Sequence, residues 1–450
     1  MKRILYNIFR LTYAAKKWFV RRFTASGWVV LLCLAASAVV GLDTKQTMAY
    51  QAFTFLLAIV VIAMVSSLFF RCGLSATRIL PRFGTAGVKL AYRIVVDNPT
   101  AKIQRGLKVF ENFEDLCPSF KEFIETPEPA EKKRNLFDRA FGYYRWLWLI
   151  SKKKQAATQA ATMPPLQPNS ETEVLIEITP SHRGIINLTG LTIARPDPFG
   201  FFNACMTISL PQSFLILPKR YDLPPVGLSG TRRYQSGGVA LASTVGDSEE
   251  FVSMRDYRPG DPLRKIHWKS WAKTGKPVVK EYQDEFFVRH ALILDTFQKT
   301  EHSEILEEAV SIAASFACEI QTQESLLDLM FVGLEAYCFT SGRGLAHTDK
   351  MLEILAAVVG CRDKSFDYLT PVVISRASML SGCICIFLCW DEDRRKLIGY
   401  LKALGIPVLV LVITDGEGSG DDSDPGPMRD KPENFHLLKS GKIQEGLMKL

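Results

Sequence analysis

The sequence predicts a membrane-anchored, multidomain chain: a two-helix transmembrane hairpin, then a β-sandwich, then a doubly wound α/β domain. Three observations predict it. Two uncharged apolar runs stand near the N-terminus, short alternating runs follow, and the last third alternates near-continuous apolar strands with amphipathic helices. A chain of 450 residues has room for about three such units. With 47% hydrophobic and 23% charged residues, the composition excludes a disordered chain, a collagen-like fibre and a disulfide-dense secreted scaffold.

Residues 1–25 read as a basic cytoplasmic segment, since Lys2, Arg3, Arg10, Lys16, Lys17, Arg21 and Arg22 have no acid among them. Residues 26–72 hold the hairpin. Ser26–Leu42 and Met48–Phe70 contain no charged side chain, and a bilayer core takes about 20 apolar residues as helix. The five residues between them, Asp43 to Thr47, suit only a tight connection. Arg71, Arg78 and Arg82 follow the second run, so the positive-inside rule places both termini and the remainder in the cytoplasm. A signal peptide cleaved near Ala36-Ser37-Ala38 is the competing reading. The long charged leader and the second apolar run favour the anchor.

Residues 75–225 carry alternating runs such as Lys89–Asn98 and Glu173–Pro180, punctuated by Gly and Pro, as antiparallel strands of a sandwich do. An aromatic and basic insert, 131–168, interrupts them. Its Phe137, Phe141, Tyr143, Tyr144, Trp146 and Trp148 between basic ends fit either the headgroup layer of an anionic leaflet or a long hairpin packed on the sandwich.

Residues 286–450 alternate strand and helix, which argues for a parallel sheet covered on both faces. Within them, 415–434 holds seven acids against two bases and reads as a solvated excursion without fixed structure.

The connecting segment, 226–285, is the most distinctive. From Arg255 to Lys280 there are eight Lys or Arg against two Asp, a surface for an acidic partner, phosphate or anionic lipid. The alternative is internal pairing of Arg255 and Arg264 with Glu249, Glu250 or Asp261, fixing two domains together. Pro-Gly-Asp-Pro is a turn, with Asp261 expected to cap a helix that opens at Pro262 and turns Ile266, Trp268 and Trp271 to a core. Lys269, Lys273 and Lys276 would share one exposed helix face and form the docking surface.

Three stretches, Ala194–Phe202, Glu249–Glu285 and the strand ending at Asp295, resemble the bacterial membrane proteins known as domain of unknown function fifty-eight. Arg255, Tyr257, Pro259, Gly260, Asp261, Arg264, Ile266 and Trp268 meet that family's pattern. The resemblance implies a C-terminal domain similar to von Willebrand factor A. It also implies a MoxR-type AAA+ ATPase as partner and a transglutaminase-like membrane protein as a second associate. No established reaction comes with it.

Such a domain binds its metal through Asp-x-Ser-x-Ser, whereas this chain has Asp295-Thr296-Phe297-Gln298-Lys299. Phe297 offers no oxygen and Lys299 would repel a cation, so Asp295 is a degenerate metal-site position, expected to cap a helix or meet a basic neighbour. No metal or cofactor is expected. Phosphate-loop, dinucleotide, zinc-protease and hydrolase motifs are missing from the sequence. Cys383 and Cys385 share one strand face and read as core thiols. The basic segment lacks a nucleic-acid module, and no nucleic acid is expected. The expected function is a non-enzymatic scaffold or adaptor on the inner membrane. The alternatives are a cell-envelope or transglutaminase-like enzyme component, and a lipid or nucleic-acid binder acting through 255–280.

Overall fold

Apolar residues at every second position, broken by Gly and Pro, give the first half of the chain its strands. In the computed structural model the described residues are 2–40, 47–68, 73–129, 131, 134–225, 250–261, 263, 266–283, 289–298, 303–322, 326–333, 335–341, 345–414 and 424–450. The chain divides into two units, Met1–Leu217 and Pro218–Leu450.

The first unit opens with three helices, α1 (Lys2–Arg22), α2 (Ala25–Val40) and α3 (Thr47–Leu68). One helix among the described residues is long and apolar enough to cross a bilayer, Met48–Ser67 within α3. The neighbouring α2 is as apolar but only 16 residues long, and residues 41–46, where the tight connection was expected, lie outside the described residues.

Strands β1 (Ser75–Ile79), β2 (Phe83–Thr85), β3 (Leu90–Asn98) and β4 (Lys108–Phe113) come next. They are followed by helices α4 (Phe120–Glu125), α5 (Leu136–Phe141) and α6 (Tyr143–Lys153), then β5 (Ala156–Thr158), β6 (Ala161–Thr162), β7 (Ser170–Pro180), β8 (Gly184–Pro196) and β9 (Asn203–Leu217). They form two sheets, β1-β3-β7-β5 and β2-β9-β8-β4-β6. The inward residues of both, including Ile94, Val96, Ile176, Leu191, Ile193 and Ile216, enclose one core. Most pairs are antiparallel, while β2 lies parallel to β9.

Buried in that core is an ion pair that ties the sheets. The Arg78 guanidinium lies 2.6 Å from Glu111, both side chains fully buried. It also donates to the Leu210 carbonyl and to Gln212, both at 3.0 Å, and the Tyr92 hydroxyl donates to Glu111.

The insert holds the helices α5 and α6 and then β5 and β6, and its Phe141, Tyr143 and Trp146 meet α1. Tyr6 and Phe9 of α1 are buried with Phe123, Trp146 and Leu149. Their ring centroids stand 5.6 Å (Tyr6–Trp146) and 5.9 Å (Phe9–Trp146) apart, and Tyr6 donates to the Pro118 carbonyl at 3.0 Å.

The turn between β8 and β9 grips the junction of α1 and α2. Asp197 accepts from the backbone N–H groups of Phe199, Phe201 and Phe202 at 2.7–3.0 Å, which fixes the turn. Thr24 N–H then donates to the Phe201 carbonyl, and the Thr24 and Ser26 hydroxyls to the Gly200 carbonyl. Gly27 is so close that any β-carbon there would collide with the Phe201 carbonyl oxygen.

The second unit begins with a small hairpin, β10 (Glu250–Asp256) and β11 (Val278–Gln283), antiparallel, with α7 (Trp268–Thr274) between them. The α/β part follows as β12 (Arg289–Leu294), α8 (Glu304–Thr322), β13 (Leu326–Val332), β14 (Ala336–Ser341), α9 (Leu345–Ala357), α10 (Thr370–Arg376), β15 (Gly382–Phe387), α11 (Glu392–Ala403), β16 (Val408–Thr414), β17 (Phe435–Lys439) and α12 (Ile443–Leu447). Its six strands run in the order β14-β13-β12-β15-β16-β17, parallel except for β14 at one edge.

Alternate residues of the strands, among them Ala291, Ile293, Cys383, Cys385, Val408 and Val410, pack with Val373 of α10 and Leu397 and Ile398 of α11. Helix α8 contacts the same strands with its buried Leu306, Val310 and Phe316. Cys383 and Cys385 are thus core side chains, as their spacing predicted. The acidic stretch differs from expectation in its second half. Residues 415–423 lie outside the described residues, but Met428 is buried, Arg429 pairs with Asp424, and the Trp390 indole donates to the Asp424 carbonyl at 2.8 Å.

Candidate docking site on the basic hairpin

The turn that leaves β10 is closed by its own residues. Pro259 supplies the fixed φ and Gly260 takes φ +106°, while Asp261 N–H donates back to the Arg258 carbonyl at 3.0 Å. Arg255 grips the Asp261 carboxylate with both terminal nitrogens, each at 2.8 Å, and the Arg258 N–H adds a third donor at 2.9 Å. These hydrogen bonds, Arg255 first, hold Asp261 at a pKa of about 2, below the ordinary carboxylate range. The pair is partly open to solvent, where water screens such bridges and they add little to stability. Tyr257 N–H donates to the Pro277 carbonyl at 2.9 Å, so the turn is also tied to the chain leaving α7.

Four of the family-pattern residues, Arg255, Pro259, Gly260 and Asp261, therefore build one turn, with Tyr257 bracing it. Asp261 does not cap a helix, because its carboxylate is committed to Arg255 and Arg258. Helix α7 starts later, at Trp268, and His267 precedes it. Arg264 and Pro262 lie outside the described residues.

Where a core was expected, only Ile266 is buried. Trp268 is 62% exposed and stacks on the half-buried Trp271, centroids 5.2 Å apart at 21°. Lys269 and Lys273 stand one helical turn apart on α7 and are exposed. Lys276 is exposed too, but Gly275 ends the helix in a left-handed conformation, φ +72°, so Lys276 is off the helix face on which it was expected. The result is one short helix with an aromatic pair on one side and two exposed ammonium groups on another, followed by a third at Lys276. Such a surface has apolar area for a partner's side chain and charge for its carboxylates.

Asp295 lies at the C-terminal end of β12, beside β15, where the strand order reverses and α/β sheets bind ligands. Here that position is filled from within. Arg394 of α11 donates to the fully buried Asp295 carboxylate at 2.7 Å, and the backbone N–H groups of Phe297 and Leu388 add hydrogen bonds of 3.0 and 3.1 Å. Arg394 is itself held by Asp391, 2.5 Å away at the N-cap of α11, and lies 4.6 Å from the Phe366 ring. Burial works against its charge, but Asp295 and Asp391 more than offset this and raise its pKa.

The Thr296 hydroxyl donates to the Val332 carbonyl. Asp295 therefore meets a basic neighbour, one of the two outcomes its sequence context predicted. The donor set does not fit a hard divalent ion, because its one acidic oxygen cluster already faces a guanidinium. No group of three or more His, Cys, Asp or Glu suited to a metal occurs among the described residues. Lys299 lies outside them.

Residues 253–371 match the model of a family described as protein of unknown function DUF58. The uncharacterized protein YeaD of Bacillus subtilis (strain 168) is 29% identical over 126 residues, which is 28% of this chain and 31% of that protein. Two solved structures align only loosely. Trypsin-activated alpha-2-macroglobulin from Escherichia coli has a TM-score of 0.18 at 13% identity, over 35% of this chain and 9% of that one. The GH20 exo-β-N-acetylglucosaminidase from Vibrio harveyi, in complex with N-acetylglucosamine, has a TM-score of 0.13 at 9% identity, over 76% of this chain and 57% of that one.

Proposed function

The chain belongs, through residues 253–371, to the family of proteins of unknown function DUF58, and from that premise we propose a membrane-anchored adaptor. Its basic hairpin docks an acidic partner, and the partner is a MoxR-type AAA+ ATPase. One observation carries the reading: the exposed Trp268, stacked on the half-buried Trp271, shares a short segment with the exposed Lys269, Lys273 and Lys276, inside the family segment.

A tryptophan left 62% exposed gives up apolar burial that a partner would recover. Trp268→Ala is expected to weaken binding of the purified ATPase by about 2 kcal/mol or more, roughly thirtyfold in Kd. Lys269→Glu with Lys273→Glu should abolish it. Both variants should melt within about 0.5 kcal/mol of the parent, as exposed substitutions do. Equal binding by parent and variants, read by calorimetry on the full chain in detergent, would refute this site.

Two finer readings belong to the proposal. The α/β part is read as similar to von Willebrand factor A, supported by six strands in the order three-two-one-four-five-six with the third antiparallel at the edge. Helices α2 and α3 are read as antiparallel spans of the inner membrane with both termini in the cytoplasm. The seven cations before α2, unopposed by any acid, support this. A cysteine placed at Thr44 should therefore react with a membrane-impermeant maleimide in intact cells, and one placed at Ser170 should not. Labelling at Ser170 alone would reverse the orientation.

A further inference from the structure

Helix α1 carries two apolar stripes; the fold buries one, and on the other Trp18 meets the Phe202 ring at 6.0 Å. Leu5, Tyr6, Phe9 and Tyr13 face α4 and α6, where Tyr6 and Phe9 are buried. Ile4, Ile8, Leu11, Ala15 and Trp18 recur at i, i+4, i+7, i+11 and i+14. At 3.6 residues per turn these five fall within a wedge of about 80° on the opposite side. All five are exposed, Ile4 at 64% and Leu11 at 72%.

The charges follow the second stripe. Arg3, Arg10 and Lys17 recur at i, i+7 and i+14, about a third of a turn to one side of it, and Lys16 lies about as far to the other. No acid occurs in the chain before Asp43. Arg10, Lys16 and Lys17 are exposed. Only Phe23 and Thr24 separate α1 from the apolar α2, which packs against α3. Next to α1, Phe141 of α5 meets Phe9 at 5.3 Å, and beyond it Leu136 and Phe137 are exposed at 81% and 74%.

We propose that α1 is an interfacial helix that lies along the headgroup layer of an anionic leaflet, its Ile4–Trp18 stripe in the acyl boundary and its cations among the phosphates. The inference rests on the reading of α3 as a membrane span. An apolar stripe bounded on both flanks by Lys and Arg is what such a layer selects, since the apolar side gains burial while the bases stay with the anionic headgroups. A second protein would need acids on both flanks of its contact, whereas an anionic leaflet presents them everywhere. Trp18, with Arg22 at 5.4 Å over its ring, sits where aromatic belts sit, at the end next to α2. In this arrangement α1 also carries α4–α6, which pack on its other face, down to the bilayer.

The test is photo-cross-linking of the full chain in nanodiscs of phosphatidylglycerol and phosphatidylcholine in equal parts. Benzoylphenylalanine is placed in turn at Ile4, Leu11, Phe55 of α3 and Glu173 of β7. Lipid adducts at Ile4, Leu11 and Phe55, with none at Glu173, are expected. Adducts at Phe55 alone would overturn the interfacial helix and leave the membrane span standing, while their loss at Phe55 as well would remove both. Cross-links from Leu11 to protein would also overturn it. Arg10→Glu with Lys17→Glu should cut the Leu11 lipid yield by about fivefold or more, and an unchanged yield would refute the anionic preference.

Discussion

Replacing Arg394 by methionine is expected to lower the stability of the α/β part by about 3–5 kcal/mol, because it leaves the Asp295 carboxylate buried without its cation. For a unit of this size that corresponds to a fall of about 6–20 °C in Tm. Removing both charges, Asp295→Asn with Arg394→Met, should cost clearly less than the single change, since no uncompensated charge remains in the interior. Hydrogen exchange at the β12 and β15 amides, which flank the pair, would assign the loss to this part of the chain. A single variant as stable as the parent would show that Asp295 is not held by Arg394. The same view requires millimolar Mg²⁺ or Mn²⁺ to leave the parent's melting unchanged. A bound ion would stabilise by mass action, about 2.7 kcal/mol at a hundredfold excess over Kd, and an upward shift lost in Asp295→Ala would contradict it.

An effect of similar size is expected in the two-sheet core. Glu111→Ala removes the carboxylate that faces both Arg78 and Tyr92, and with the Arg78 side chain fully buried the cost should again be about 3–5 kcal/mol. Arg78 keeps two neutral acceptors, the Leu210 carbonyl and Gln212, which hydrate its charge poorly. The triple change Arg78→Leu, Glu111→Leu, Tyr92→Phe should recover most of the loss, because it leaves neither a stranded charge nor an unpaired hydroxyl. Chemical unfolding of the full chain, followed by exchange at the β3 and β4 amides, measures both. A Glu111→Ala protein within about 1 kcal/mol of the parent would mean that water reaches Arg78, contrary to its burial.

The α/β part was largely legible in the sequence because most of its strands are near-continuous apolar runs and its helices amphipathic. β12, α8, β13, α9, β15, α11 and β16 stand where those runs are. The short edge strand β14 and α10 were not read, since Ala336–Ser341 and Thr370–Arg376 are too brief to show a period. The Asp295 partner was illegible in principle, as Arg394 is 99 residues away and looks like one more base of an exposed helix. In the basic hairpin the turn chemistry was legible, but burial was misjudged: an Ile-x-Trp pattern suggests a core, and only Ile266 enters one. The role of α1 was missed because its first apolar stripe is masked by the second. Just before the insert one local signal pointed to structure, the Ser119-x-x-Glu122 capping box that starts α4.

The gripping turn at Gly200 and Phe201 has a mechanical consequence. If α2 were tethered by a slack linker, a pull on the two-sheet unit would first straighten the linker and reach the helix late and weakly. Here the root of α2 is bonded at Thr24, Ser26 and Gly27 to the end of a hairpin whose strands, β8 and β9, run along most of the sheet. Load applied anywhere on that sheet passes along stiff β-structure into the helix within two residues of its start. The unit and the base of α2 thus move as one lever, so that work done on the folded part can tilt or draw the apolar helix.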